Sequence, residues 1–349
     1  WVAHQGQFDG SDCQGVRCDD EPHHDPRLRE PDHGLMSRIE RFFPASKVSD
    51  WTGGSFGGAA GVTAPKATGG EIGYYTDSGT GYWYHTFYAT EAFVPSEAIT
   101  ADVMIVAGGG GGASGGSWVG GGGGAGGLVY YSQTALAAAS HTATVGAGGA
   151  GNKGSHASNG SNASLGALTA ANGGGGGSGT TASPTTGGGS GGGAWGGGGP
   201  AQSGGTATAN QGNDGGDNPN SGTYNGGGGG GATAAGGTGA TVTGGAGAQE
   251  GTSAVHDFEA GSGTVTMDVN GTGFYYAGGG GGGKAAVLDA GVSAGGVGGG
   301  GQGGYKANST NGPKGGYPGS VNTGGGGGSS YDDEGPPGGS GIVIVRYAA

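Results

Sequence analysis

Runs of consecutive glycine constrain this chain more than any other feature. Four or more glycines stand in a row at 108–112, 120–124, 173–177, 196–199, 226–231, 278–283, 298–301 and 324–328. Glycine has no side chain to bury, and ordering its backbone costs more entropy than ordering any other residue's. A run of it is therefore a solvated linker, or a segment whose backbone bonds directly to other backbones. Polyproline-II geometry permits the second outcome. It has three residues per turn and no internal hydrogen bonds, so every N–H and C=O points outward. All-glycine segments in this form can approach closely enough to exchange N–H···O=C bonds, and a Cβ at the contact would force them apart. A five-residue run makes a rod of about 15 Å. The eight runs are enough for a layered bundle.

The flanking residues favour a bundle over a linker. Aromatic residues abut glycine directly in WVGGGGGAGGLVYY (118–131) and GFYYAGGGGGG (273–283), and lysine, a usual solubilising spacer, is scarce. Disorder by composition also requires high charge and few aromatics. Here only 11% of residues are charged, and 8 Phe, 5 Trp and 14 Tyr are set among the glycines. Glycine makes up 102 of 349 residues, yet there is no Gly-X-Y period and there are only 13 prolines, which excludes collagen. No apolar window approaches the length of a transmembrane helix. The formal net charge of −13 and the lack of a basic stripe exclude a nucleic-acid binder.

Three regions follow from the composition. Residues 1–50 are charged and His-rich and read as an N-terminal arm or attachment segment. Leu35, Ile39, Phe42 and Phe43 recur at helical spacing there, predicting an amphipathic helix over 34–43. Cys13 and Cys18 are spaced for a small disulfide loop, with their state left open. The chain starts at Trp1 without an apolar signal core, which leads us to expect a processed product or a fragment. Residues 51–107 are β-strand-rich, with an aromatic and β-branched stretch at 81–95 and a buried-strand type run, DVMIVA, at 102–107. Residues 108–349 form the glycine-rich region and end in a second such run, IVIV, within 339–347. Pairing of these two runs would close the domain. The expected fold class is mostly β and irregular: short strands enclosing packed polyglycine-II helices, with almost no α-helix.

No enzyme signature emerges. The only lysine directly after a glycine run, Lys284, lacks the hydroxyl residue of a phosphate-binding loop. G-x-G-x-x-G matches arise trivially at this glycine content. No nucleophile elbow or H-E-x-x-H is present. His85 lies in a strand-like phrase and reads as structural. His4, His23, His24 and His33 lie near Asp19, Asp20, Glu21, Asp25 and Asp32, and the solvated arm is the preferred reading of that cluster. Asp214 and Asp217 read as Asx-turn residues, and the acidic stretch 330–337 as a loop. No metal and no cofactor is expected. Aromatic side chains beside glycine turns offer flat, rigid contact surfaces. Trp118, Trp195, Tyr224, Tyr305, Tyr317 and Tyr331 are the candidate ligand-contact residues, whereas Phe274, Tyr275 and Tyr276 are expected to pack on neighbouring runs.

Several phrases in order carry a resemblance: residues 67–95, DVMIVAGGGGG (102–112), GGGAGGLVYYS (122–132), TATVGAGGAG (142–151) and GGSGIVIVRY (338–347). Together they resemble the glycine-rich domain of phage and bacterial surface proteins, common in tail fibres and other virion proteins. The packed rods resemble, in architecture, the polyglycine-II sandwich of phage tail-tip adhesins. The resemblance implies a non-enzymatic virion structural protein, a tail-fibre adhesin or surface decoration mediating host attachment, on the virion surface or extracellular. It implies self-association (trimeric in a fibre), contact with other virion proteins, and a host cell-surface glycan or protein as partner, without membrane insertion. The alternative is a self-assembling extracellular glycine-rich filament or matrix protein.

Overall fold

A computed structural model describes residues 63–349 except 170, 181–187, 220–223, 252, 256, 258–262, 265–273, 286–291 and 307–314. The expected helix at 34–43, the two cysteines and the His/acid cluster of the arm lie outside the described residues. Among those described, the chain is strand and irregular backbone with no helix, as its composition implies.

Five strands precede the first glycine run: β1 (Ala67–Thr68), β2 (Glu71–Asp77), β3 (Thr80–Phe87), β4 (Glu91–Pro95) and β5 (Ile99–Val106). Then come β6 (Ala113–Ser114), β7 (Leu128–Leu136), β8 (His141–Thr144), β9 (Asn152–Lys153) and β10 (Ser164–Leu165). The two-residue strands β11 (Ala248–Gln249), β12 (Ala254–Val255), β13 (Gly263–Thr264) and β14 (Tyr275–Tyr276) follow, and β15 (Ile342–Ala348) ends the series.

The main sheet is antiparallel with order β2-β3-β15-β5-β7. β2 and β3 form a hairpin whose Ser78 and Gly79 both have positive φ, 49° and 85°, as a two-residue type I′ turn requires. The C-terminal strand inserts between β3 and β5, with Val343 opposite both Phe87 and Ile105. The predicted pairing of the two apolar runs is therefore present. This sheet draws strands from both sides of position 107.

Both faces of the sheet are covered, which is why β5 and β15 read as continuous apolar runs instead of alternating ones. On one face Val103, Ile105, Val343, Val345, Trp83, Phe87 and Tyr347 pack with Phe93, Ala143 and Leu165 from the second sheet, β1-β4-β8-β10. On the other, Met104, Val106, Leu128, Tyr130, Ile342 and Ile344 pack with Ala125, Ala248, Tyr276 and Ala277 from the glycine-rich region.

Two polar arrangements sit inside this core. Arg346 donates through Nε to Asp102 Oδ2 at 3.0 Å, through Nη2 to the same oxygen, and through Nη1 to Tyr75 Oη at 2.8 Å. Its guanidinium lies 4.6 Å from the Tyr82 ring centroid. The other carboxylate oxygen accepts from Gln133 N and Nε2 at 2.9 and 3.1 Å, so both oxygens of the buried carboxylate are hydrogen-bonded. On the opposite face, buried His85 donates from Nδ1 to the Gly69 carbonyl at 2.7 Å and accepts at Nε2 from Tyr347 Oη at 3.0 Å. That makes it the structural histidine its strand context suggested.

The glycine runs bond to one another in a regular pattern. Ala107, Gly110 and Ala113 donate to Gly127, Gly124 and Gly121. Between them, Gly108 and Gly111 donate to Ser161 and Ser158, and Gly109 and Gly112 to Gly339 and Pro336. Each neighbour is met every third residue, the period of polyproline-II geometry.

Residues 120–127 are the most enclosed. Gly120, Gly123 and Gly126 donate to Ser330, Gly327 and Gly324; Gly121, Gly124 and Gly127 to Ser178, Gly175 and Asn172; Gly122 and Ala125 to Gly227 and Gly230. The carbonyls of Gly120 and Gly123 accept from Gly283 and Gly280. Those of Gly121, Gly124 and Gly127 accept from Ala113, Gly110 and Ala107, and those of Gly122 and Ala125 from Gly193 and Ser190. Six segments thus surround this one, at N···O distances of 2.7–3.3 Å.

Where a segment lacks a backbone neighbour, Asx side chains supply the acceptor at the same spacing. Asn159 and Asn162 accept from Gly176 N and Gly173 N, each at 2.9 Å. Asp217 and Asp214 accept from Gly204 N and Ala207 N at 2.8 and 2.7 Å. The Asx-turn reading of Asp214 and Asp217 is corrected by these bonds. The carboxylates cap a different stretch of chain because they project at the period of the rod they stand on.

Candidate functional site

The bundle has two distinct ends. Ala107 follows β5 and Gly127 precedes β7, so one end abuts the main sheet. At the other end the first run turns back at 114–119: Ser114 bridges Val119, and Gly115 N donates to Trp118 O at 3.0 Å. Trp118 stands on this turn.

The bonds between runs decide what gathers around it. Gly196 N donates to Val119 O at 3.1 Å, which brings in Trp195. Gly226 N donates to Gly283 O at 2.9 Å, and Gly227 N to Ala194 O at 2.9 Å, which brings in Tyr224. The Trp118 and Trp195 ring centroids are 6.5 Å apart at 76°, and those of Trp118 and Tyr224 are 5.4 Å apart at 46°. Trp118 and Tyr224 are 40% and 44% exposed. Trp195, expected as a contact residue, is only 8% exposed and instead packs edge-on against Trp118.

Tyr331 directly follows the run 324–328 and its two serines. Ser330 N donates to Ala113 O at 3.0 Å, Ser114 Oγ to Tyr331 O at 2.7 Å, and Lys306 Nζ lies 5.7 Å from the Tyr331 ring centroid. Tyr305 bridges Lys284 and is half-buried. Tyr317 is 58% exposed beside the run 324–328, where its carbonyl accepts from Gly328 N at 2.9 Å. All six candidates thus lie at or beside run ends away from the main sheet, Tyr317 through its bond to Gly328, the last glycine of its run. The other aromatic trio divides: Tyr276 is buried in the core, but Phe274 is exposed, against the expectation that it packs inward.

The electrostatics of this end are mild. Asp332 pairs with Lys153 at 3.4 Å, both exposed, and Asp333 and Glu334 face solvent. Among the described residues no group of three or more His, Cys, Asp and Glu side chains is placed to hold a metal ion. The Lys306–Tyr331 contact and the Asx caps escaped the sequence reading. The caps had a visible signal, because Asn159 and Asn162, like Asp214 and Asp217, stand three apart in glycine-containing stretches.

A family model described as a glycine-rich domain matches residues 85–348. No curated protein matches the chain.

Proposed function

The chain belongs to the glycine-rich domain family, and we propose that it is a non-enzymatic surface protein of a phage virion, a tail-fibre adhesin or decoration serving host attachment. The observation that carries this reading is the pairing of a backbone-bonded bundle, anchored on a sheet at one end, with an exposed aromatic group at the other. A rigid scaffold that holds flat side chains at its end loses little entropy when they bind. In this reading residues 1–50 dock the protein to other virion proteins.

Antibody to the chain is expected to label phage particles, and purified chain to reduce adsorption of those particles to their host. A truncation lacking residues 1–50 is expected to fold but to be absent from particles. Unlabelled particles, or particles carrying the truncated chain, contradict the attachment and docking roles respectively. One feature favours the filament alternative: among the described residues β2 is an edge strand with several exposed side chains, and such an edge can pair with a second copy. Long polymers in negative-stain images of the purified chain would decide for it.

A further inference from the structure

We propose that Trp118 and Tyr224, supported by Trp195, form a platform on which a sugar ring of a neutral saccharide stacks; this rests on the attachment reading above and commits it to a ligand class.

Ring geometry narrows the occupant first. An aromatic cage for a quaternary ammonium needs an open space with several ring centroids within about 6 Å of the cation. Here the rings lie 5.4 and 6.5 Å from one another, within the ordinary aromatic contact range of about 4.5–7 Å. The space between them is filled by the rings themselves. What remains for a ligand is the outward surface of Trp118 and Tyr224, which suits a flat partner lying over it.

Charge narrows it further. The stretches that carry the rings, SGGSWV (114–119), AWGGGG (194–199) and YNG (224–226), contain no Asp, Glu, Lys, Arg or His. The charged residues tied to them by the hydrogen-bond register are of both signs. Lys284 precedes Ala285, whose N–H donates to Asn225 Oδ1 at 2.9 Å, and Lys306 N donates to Lys284 O at 2.9 Å; against them stand Asp332, paired with Lys153, and the exposed Asp333 and Glu334. Among the described residues neither sign stands alone at this end.

A polar group points the same way. Among the described residues, Trp195 Nε1 is buried without a hydrogen-bond partner, next to Gly115 of the turn that carries Trp118, and nothing stands near the Cβ position of Gly116 beside it. A buried donor without an acceptor is costly. The nitrogen is closed off by Gly115, so a ligand that stacks on the exposed rings would satisfy it by displacing the 115–116 turn and sending one hydroxyl oxygen in. A sugar ring combines the flat apolar face with such hydroxyls.

The test uses the full chain and a panel of neutral hexose and N-acetylhexosamine oligosaccharides, read by tryptophan fluorescence and calorimetry. Binding of at least one panel member is expected, with Trp118→Ala and Tyr224→Ala each weakening it about fivefold to tenfold. Tyr88→Ala, on an equally exposed ring outside the group, is expected to leave it unchanged. No binding across the panel, or full binding by Trp118→Ala, overturns the proposal. Adsorption to host cells separates this failure from that of the broader reading. Loss of adsorption after periodate oxidation of the cells supports the saccharide. Adsorption that survives periodate but not protease overturns the saccharide and leaves attachment standing, and absence of adsorption to any treated or untreated host overturns attachment itself.

Discussion

Gly123 donates to Gly327 and accepts from Gly280, and the space a Cβ would take is occupied by the carbonyl of Gly110. The same holds along the run: Gly121, Gly122, Gly124 and Gly126 each meet a backbone carbonyl where a Cβ would stand. Ala125 is tolerated because its methyl reaches the apolar cluster between the bundle and the main sheet. Gly123→Ala is therefore expected to lower stability by at least the ~1–3 kcal/mol typical of overpacking, read as a drop in the denaturant midpoint. Gly79, at a φ of 85° with no atom near its Cβ position, is the control. Gly79→Ala costs only the left-handed strain, roughly 1 kcal/mol. His85 gives a pH prediction. Burial pushes its imidazole down to about 4 from the ordinary 6.5, opposed in part by its bond to the Gly69 carbonyl. The unfolded chain then binds more protons than the folded one between those values, so stability rises with pH across that window. His85 stabilises nothing by charging: its contribution is complete above pH 6.5 and falls away towards pH 4, by about 3 kcal/mol in all. Equilibrium unfolding between pH 7 and 4 should show this slope, and a His85→Leu variant should lose that component of it.

At the scale of elements, the three-residue period governs both the glycine runs and their caps. Gly173 and Gly176 are buried, and the side chains of Asn162 and Asn159 are the acceptors for their N–H groups. Asn159→Ala and Asn162→Ala are each expected to destabilise by about 1 kcal/mol. Asn162→Asp keeps the acceptor oxygen and should stay near the wild type, as compared by thermal unfolding. Much at this scale was legible. The continuous apolar runs of β5 and β15 announced two-sided burial and their mutual pairing, and the glycine runs announced backbone-to-backbone packing. The order of the runs within the bundle was not legible. Glycine carries no side-chain pattern from which a neighbour can be read, so the register that brings Trp118, Trp195 and Tyr224 together left no trace in the local sequence. The same blindness hid the burial of Trp195 and put Phe274 on the wrong side. A rod of period three turns successive residues to three different neighbours, which no two-sided strand pattern anticipates.

Over the whole of the described region, the main sheet and the glycine bundle depend on each other. β15 returns the chain to β3 and β5 after the entire glycine-rich stretch, and the side chains of Met104, Tyr130 and Ile344 meet Ala125 and Ala277 across the junction. The bundle gains little from side-chain burial, so its order rests on satisfied backbone groups, with the sheet supplying an apolar base on which the runs end. The aromatic end is then held in place by a solid scaffold instead of a flexible stalk. Amide hydrogen exchange of the native chain tests this most directly. The account predicts that the N–H groups of residues 120–127 exchange as slowly as those of β15, through global unfolding alone. Fast exchange along 120–127 while β15 stays protected would contradict it.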